Sequence, residues 1–401
     1  MRTFLSEELK GTPEGREADE ILRSCVHCGF CNATCPTYQL LGDERDGPRG
    51  RIYLIKEMLE SDTATRETQL HLDRCLTCRS CETTCPSGVR YNRLLEIGRA
   101  AVEVRVERPL SERIQREVIL RTVPEPDRFR LLLSVARLFR PLLPVALKKS
   151  VPASLPSCEP WPSVGQPRKV LLLEGCVQSV TAPRINLAAA RVLDKLGIQA
   201  LPAAGCCGAL SHHLSREEQT LATIRGNIDR WWPAIEAGAE ALVLTASGCA
   251  PTVIDYGRLL KHDPEYAEKA AQVASMALDI SAFLEGQDLS LIRHAQADSP
   301  FIAFHAPCTL QHGLKRAGSV EAMLIRLGFR LATVPDAHLC CGSAGSYSIL
   351  QKDLSGRLLK QKLMCLEKEQ PAVIATANIG CLMHLQSGTE RPVKHWIELL
   401  A

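Results

Sequence analysis

Residues Cys25–Pro36 read CVHCGFCNATCP, and residues Cys75–Pro86 read CLTCRSCETTCP. Both obey C-x2-C-x2-C-x3-C-P, so one eight-thiol constellation is written as two equal quartets. Three cysteines spaced by two residues can wrap one face of a compact cage. The fourth, followed by proline, points away from it. Pro36 and Pro86 bend the chain there and remove a backbone donor. A zinc site needs four ligands and usually two C-x2-C pairs. Two identical quartets fit a pair of iron–sulfur cubanes better.

In paired motifs of this spacing the fourth cysteine ligates the other cluster. On that rule Cys25, Cys28, Cys31 and Cys85 hold one [4Fe-4S] cluster, and Cys75, Cys78, Cys81 and Cys35 hold the second. Neither motif closes a cubane alone, and the two clusters are expected to act as one-electron carriers in series. Gly29, Ala33 and Ser80 are small enough for close backbone approach to sulfide. Arg49, Arg51 and Arg79 either offset cluster charge or are solvated surface side chains, the commoner situation for arginine.

The chain has 401 residues, enough for two or three domains, and 18 cysteines. A net charge of +3 from 48 basic and 45 acidic residues, with 4% aromatics, gives no basic stripe or stacking platform for nucleic acid. The beginning, MRTFLSEELKGTPEGRE, is charged from its second residue and lacks a signal-peptide core. No apolar run reaches the roughly 18 residues of a spanning helix. A cytoplasmic setting with reduced thiols is expected, so the cysteines read as metal ligands rather than disulfides.

Four regions are expected. Residues 1–120 form a helical two-cluster domain: IYLIKEMLE (52–60) and YNRLLEIGRAAVEVRVE (91–107) have helical period, and GDERDGPRGR is the charged turn before the former. Residues 121–168 form a connector in which FRLLLSVARLFRPLLPVALKK (129–149) is apolar but broken by arginines and prolines, followed by a Pro-rich linker containing Cys158. That apolar stretch suits packing on its own protein or a partner, with peripheral membrane contact as the other reading. Residues 169–290 and 291–401 alternate strand and helix, as in KVLLLEGC, RINLAAARVLDKLG, IQALPA and ALVLTASGC. The fold class is therefore multidomain α and α/β.

The α/β half repeats itself. Cys308 follows Cys176 by 132 residues, Cys340–Cys341 follow Cys206–Cys207 by 134, and Cys381 follows Cys249 by 132. A duplicated unit with pseudo-two-fold symmetry is expected, its cysteines gathered where parallel strands end. The second repeat is richer in histidine (His305, His312, His338, His384), where the first has Glu174 and Gln178. Each histidine reads either as a ligand or as a core or capping residue. Cys365, like Cys158, has no counterpart and reads as an ordinary small side chain.

These segments, with HLDRCLTCRSCETTCPSGV, HAPCTLQH, HLCCGSAGSY and TANIGC, resemble the ferredoxin-type subunits with cysteine-rich CCG domains of heterodisulfide reductase and anaerobic glycerol-3-phosphate dehydrogenase. Within that group the chain is similar, from about residue 20 to its end, to the iron-sulfur subunits of glycolate oxidase. It departs from the five-cysteine CCG pattern, since Ala246 and Asn378 stand where a further cysteine would precede Cys249 and Cys381. Four thiols per repeat leave open a third cluster, a structural role or a partner-docking role.

No G-x-G-x-x-G fingerprint or Walker loop is present, and clusters cannot take a hydride. The resemblance implies an electron-transfer subunit that drains FAD-bearing flavoprotein subunits toward a quinone or other acceptor during glycolate oxidation; the expected place is the cytoplasm, with the cytoplasmic face of the inner membrane as the other reading. Related lactate, glycerol-3-phosphate or heterodisulfide systems, and a redox-sensing interaction protein, are the alternatives.

Overall fold

A computed structural model describes residues 1–142, 154, 156, 159–162, 165–292 and 299–401. Most of the apolar stretch after residue 142, and Cys158, lie outside the described residues. The part that is described forms the helix Pro126–Leu138 and one tight turn to Leu142.

The first half is helical. Thr12 caps the helix Pro13–Ser24, its hydroxyl accepting from the Gly15 amide, and Pro13 supplies a preset φ at the first position. Helices Pro48–Ser61, Arg66–Asp73 and Tyr91–Arg105 complete the layer around Ile21, Leu22, Ile55, Met58, Leu72, Leu94 and Leu95. Gly98 lets Tyr91–Arg105 come close to Pro48–Ser61: a Cβ there would sit 2.7 Å from Ile55 Cγ1. The charged segment before Pro48 makes a short turn, Glu44–Asp46, capped by the Asp43 carboxylate.

The second half holds two parallel sheets. Strands β1 (Arg168–Leu173), β2 (Ile198–Ala203), β3 (Leu242–Leu244) and β4 (Ala277–Asp279) lie in the order β2-β1-β3-β4. Strands β5 (Ile302–His305), β6 (Val373–Thr376) and β7 (Val393–His395) lie in the order β5-β6-β7, and an isolated bridge from Ile302 to Leu331 stands where β2 stands in the first sheet. The duplication expected from the cysteine offsets is thus present in topology. Parallel pairing needs crossovers, which the helices Arg184–Lys195 and Glu217–Glu236 supply in the first repeat.

Strand β1 is apolar on both faces because each face is covered. Leu171 and Leu173 pack with Trp231, Tyr256 and Ile224, whereas Val170 and Leu172 join a core continuous with Phe304, Ile374 and Trp396 of the second repeat. The repeats are also tied by polar contacts: the Ser247 amide donates to the Ala377 carbonyl (3.0 Å), and His395 Nε2 donates to the Thr245 carbonyl (2.9 Å). Among the described residues, no helix is long and apolar enough to cross a membrane.

Candidate iron–sulfur centres

Cys25 leaves the helix Pro13–Ser24 as its C-cap. His27 and Gly29 then take left-handed φ values of 56° and 86°, turning the chain twice so that Cys25, Cys28 and Cys31 face one side. Cys85 arrives from the other motif, at the end of the helix Ser80–Thr84. All four line one open pocket, and their thiols supply the donor chemistry that a cubane requires. Burial pushes the Cys31 thiol up to about 11, and the neighbouring Cys25, Cys85 and Cys28 push it the same way.

The second motif repeats the turns with different residues. Thr77 and Arg79 have φ of 53° and 59° at the positions of His27 and Gly29. A side chain in that region costs roughly 1–2 kcal/mol, so closure around the sulfur outweighs backbone preference there. The Thr77 amide lies 3.5 Å from Cys75 Sγ. Burial drives Cys78 and Cys81 up; Cys308, Cys35 and Cys75 add to the effect on Cys78, and Cys78, Cys75 and Cys35 to that on Cys81. The structure therefore gathers Cys35 with the three cysteines of the other motif, as it gathers Cys85 with Cys25, Cys28 and Cys31.

The two quartets differ in surroundings. Cys28 is exposed, with Val26 and Phe30 on the surface beside it. The second quartet is covered, and Leu76 and Cys78 pack against Cys308, Cys340 and Tyr347 of the second repeat. Two hydroxyls reach its sulfurs, Tyr91 at 3.7 Å from Cys75 and Thr37 at 3.3 Å from Cys35. Arg51 is not the solvated side chain that arginine statistics favour. It is 1% exposed, donates from Nε to the His71 carbonyl (2.7 Å) and pairs with Asp46. Arg49, by contrast, is bound to Glu44 at the rim of the first quartet.

The CCG cysteines follow the carboxyl ends of their strands. In the first repeat Cys176 lies within hydrogen-bonding reach of Cys206, and Cys207 of Cys206 and Cys249. In the second, Cys308 Sγ is 3.8 Å from Cys340 Sγ, and Cys341 neighbours both Cys340 and Cys381. The histidines separate in role. His312 bridges the two halves, Nδ1 pairing with the Thr83 hydroxyl (2.9 Å) while Nε2 donates to the His338 carbonyl. His384 pairs with Ser355. His305 alone sits among thiols, and burial takes its imidazole down to about 3, hence neutral. Gln178 of the first repeat is a buried structural amide bound to Asn186 and Thr245. Tyr91, Thr37 and Tyr347 were not evident as site residues from sequence. Tyr91 follows Cys75 by 16 positions, a separation with no local pattern to mark it.

Helical thiol quartets followed by paired parallel sheets with clustered cysteines define a class: an iron–sulfur protein with ferredoxin-type and cysteine-rich domains. Residues 21–89 match the 4Fe-4S dicluster domain, and residues 170–253 and 302–386 each match the cysteine-rich domain. The chain is 54% identical over its whole length to the glycolate oxidase iron-sulfur subunit of Escherichia coli K12, covering 98% of that protein. It is 31% identical to a probable glycolate oxidase iron-sulfur subunit of Bacillus subtilis 168, over 92% of this chain and 89% of that one. A lactate utilization protein A of Shouchella clausii is 24% identical over 58% of this chain and 98% of its own. The chain belongs to the family of glycolate oxidase iron-sulfur subunits.

Proposed function

We propose that this chain is the electron-transfer subunit of a flavin-dependent glycolate dehydrogenase complex. Flavoprotein subunits bind and oxidise glycolate to glyoxylate, and this chain passes the electrons toward a quinone or other acceptor. Cys25, Cys28, Cys31 and Cys85 hold one [4Fe-4S] group, and Cys75, Cys78, Cys81 and Cys35 hold the other. Each group, when bound, takes up and releases single electrons.

The observation that carries this reading is the graded exposure of the two quartets. Cys28 opens the first to an outside redox partner, while the second lies inside, against the repeat that carries Cys308 and Cys340. Such a sequence from surface to interior suits a relay. The hydroxyls of Tyr91 and Thr37 and the guanidinium of Arg51 set the potential of the inner position by hydrogen bonding and charge.

Adding glycolate to the complex assembled with its flavoprotein subunits should reduce both clusters, read by low-temperature EPR. Clusters that stay oxidised under glycolate would overturn the proposal, and reduction by lactate but not glycolate would reassign the substrate. Cys35→Ala should damage the EPR signal of the Cys75 quartet and spare that of the Cys25 quartet. The opposite pattern would refute the crossed ligand sets.

A further inference from the structure

One side chain of the second repeat crosses to the helical half and meets no protein acceptor there. Tyr347 stands six residues after Cys341 and opens the short helix Tyr347–Leu350. It is 5% exposed and packs in one apolar cluster with Leu76 of the second motif and with Cys308, Cys340, Leu354 and Leu358. Cys78, a member of the inner quartet, borders the same cluster. The Tyr347 hydroxyl is buried, yet it has no hydrogen-bond partner among the described residues. A buried donor left unpaired costs on the order of 1–3 kcal/mol. A bridging water needs several polar partners, and these neighbours are leucines and thiols.

The loop before Tyr347 is built to bring it there. Gly342, Ala344 and Gly345 take φ of 92°, 37° and 62°. Glycine adopts such values freely, but at Ala344 the left-handed turn costs roughly 1–2 kcal/mol. The Tyr347 amide donates to the Ala344 carbonyl (3.1 Å), and the Ser348 amide to that of Ser343 (3.2 Å). Backbone strain persists where the surroundings hold it, and here it turns the tyrosine onto the second quartet. The first repeat keeps the spacing with a different ring, His213, six residues after Cys207. The charges that act on His213 are those of His212, Arg99, Glu96 and Arg79 rather than a quartet thiol. The phenol belongs to the second repeat alone.

Burial keeps that phenol protonated; Arg51 opposes the effect, while Cys75, Cys340 and Asp46 add to it. Three of those four groups surround the inner quartet, and Arg51 also donates to Thr37, whose hydroxyl meets Cys35. Ser80, between Cys78 and Cys81, is another buried hydroxyl without a partner. Two unpaired hydroxyls, one from each half of the molecule, thus accompany one thiol set. The group such a set holds is rich in sulfur acceptors.

Resting on the assignment of a [4Fe-4S] group to Cys75, Cys78, Cys81 and Cys35, we propose that Tyr347 donates its phenolic hydrogen bond to that group and so sets its potential. It is a tuning residue and not a ligand. A donor to sulfur stabilises the reduced, more negative state. Because the donor comes from the α/β half, the potential of the inner centre depends on how the two halves are seated.

The test uses the full chain, purified anaerobically with its clusters intact. Tyr347→Phe removes one oxygen and should keep the iron content and circular dichroism of the parent. EPR redox titration should then show a more negative potential for the Cys75 quartet and no change for the Cys25 quartet. A merely structural tyrosine would leave both potentials where they are. Should Tyr347→Phe fail to fold, a chain carrying Tyr91→Phe and tyrosine labelled with ¹⁷O at the phenol decides instead. Pulsed EPR should find ¹⁷O coupling to the reduced cluster of the Cys75 quartet, with Tyr347 as its source. An unchanged potential in folded Tyr347→Phe, or no ¹⁷O coupling, would overturn the proposal. A parent chain with no EPR signal from the Cys75 quartet would overturn the ligand assignment beneath it instead.

Discussion

Tyr91 is a phenol closed into the interior with its oxygen 3.7 Å from Cys75 Sγ. A hydrogen bond to a ligand sulfur stabilises the more negative, reduced state of a cluster. Tyr91→Phe should therefore make the potential of the Cys75 quartet more negative and leave that of the Cys25 quartet unchanged, as read by EPR redox titration. Arg51 lies beside the same thiols and is paired with Asp46, which also meets His71 and Arg74. Removing one member of a buried charged group leaves the others uncompensated. Arg51→Met should cost about 3–5 kcal/mol in denaturant unfolding, with the helical half affected first.

At the scale of elements, the close crossing of Tyr91–Arg105 and Pro48–Ser61 rests on the missing side chain of Gly98. Gly98→Val forces Ile55, which is fully buried, to move, and overpacking of this kind costs about 1–3 kcal/mol. The midpoint of thermal unfolding should fall accordingly. The helix Tyr91–Arg105 also joins the two halves through Glu96, which meets His212 (3.2 Å) and Arg258 (3.2 Å) across the interface. Burial by itself would raise this carboxyl. The His212 hydrogen bond and charge, with Arg258 and Arg93, outweigh it and hold Glu96 at about 2. A lowered carboxyl stabilises the fold above its ordinary value of 4.5, and that stabilisation is lost as pH falls from there toward 2. Unfolding followed between pH 6 and 3 should show a shallower slope in Glu96→Gln than in the parent chain.

On the whole-molecule scale, the two halves draw on different sources of stability. The second has a continuous apolar core spanning both sheets. The first has a smaller core into which Cys25, Cys75 and Cys81 are themselves built. Removing iron by chelation under reducing conditions should unfold the helical half at lower denaturant than the α/β half, seen as two transitions where the loaded chain shows one. His312 and Thr83, joined at 2.9 Å, lie at the junction, so amide exchange there should rise when the metals leave.

Much of this was legible in order along the chain. The quartets, the helices read over 52–60 and 91–107, the strands β1 and β2 and the repeat offset all depend on spacing between near neighbours or on copies of one pattern; the first helix begins earlier than read, at Pro48 inside the segment taken as a charged turn. Strands β4 and β7 were not read, since ALD and VKH lack the continuous apolar run that marks the equally short β3. The burial of Arg51 and the left-handed turns at Thr77 and Arg79 were also hidden, because each opposes the local preference of its residue type.

By itself the sequence determined that cysteines stand in two quartets and two repeated sets, because ligand spacing is a local property of the chain. Only the tertiary structure decided which quartet faces solvent and which is closed against Cys308 and Cys340. It alone brought Tyr91 to a sulfur, and His305 to two thiols. Those relations join residues far apart in the chain, and burial and contact between them exist only once the helical layer has packed on the second sheet.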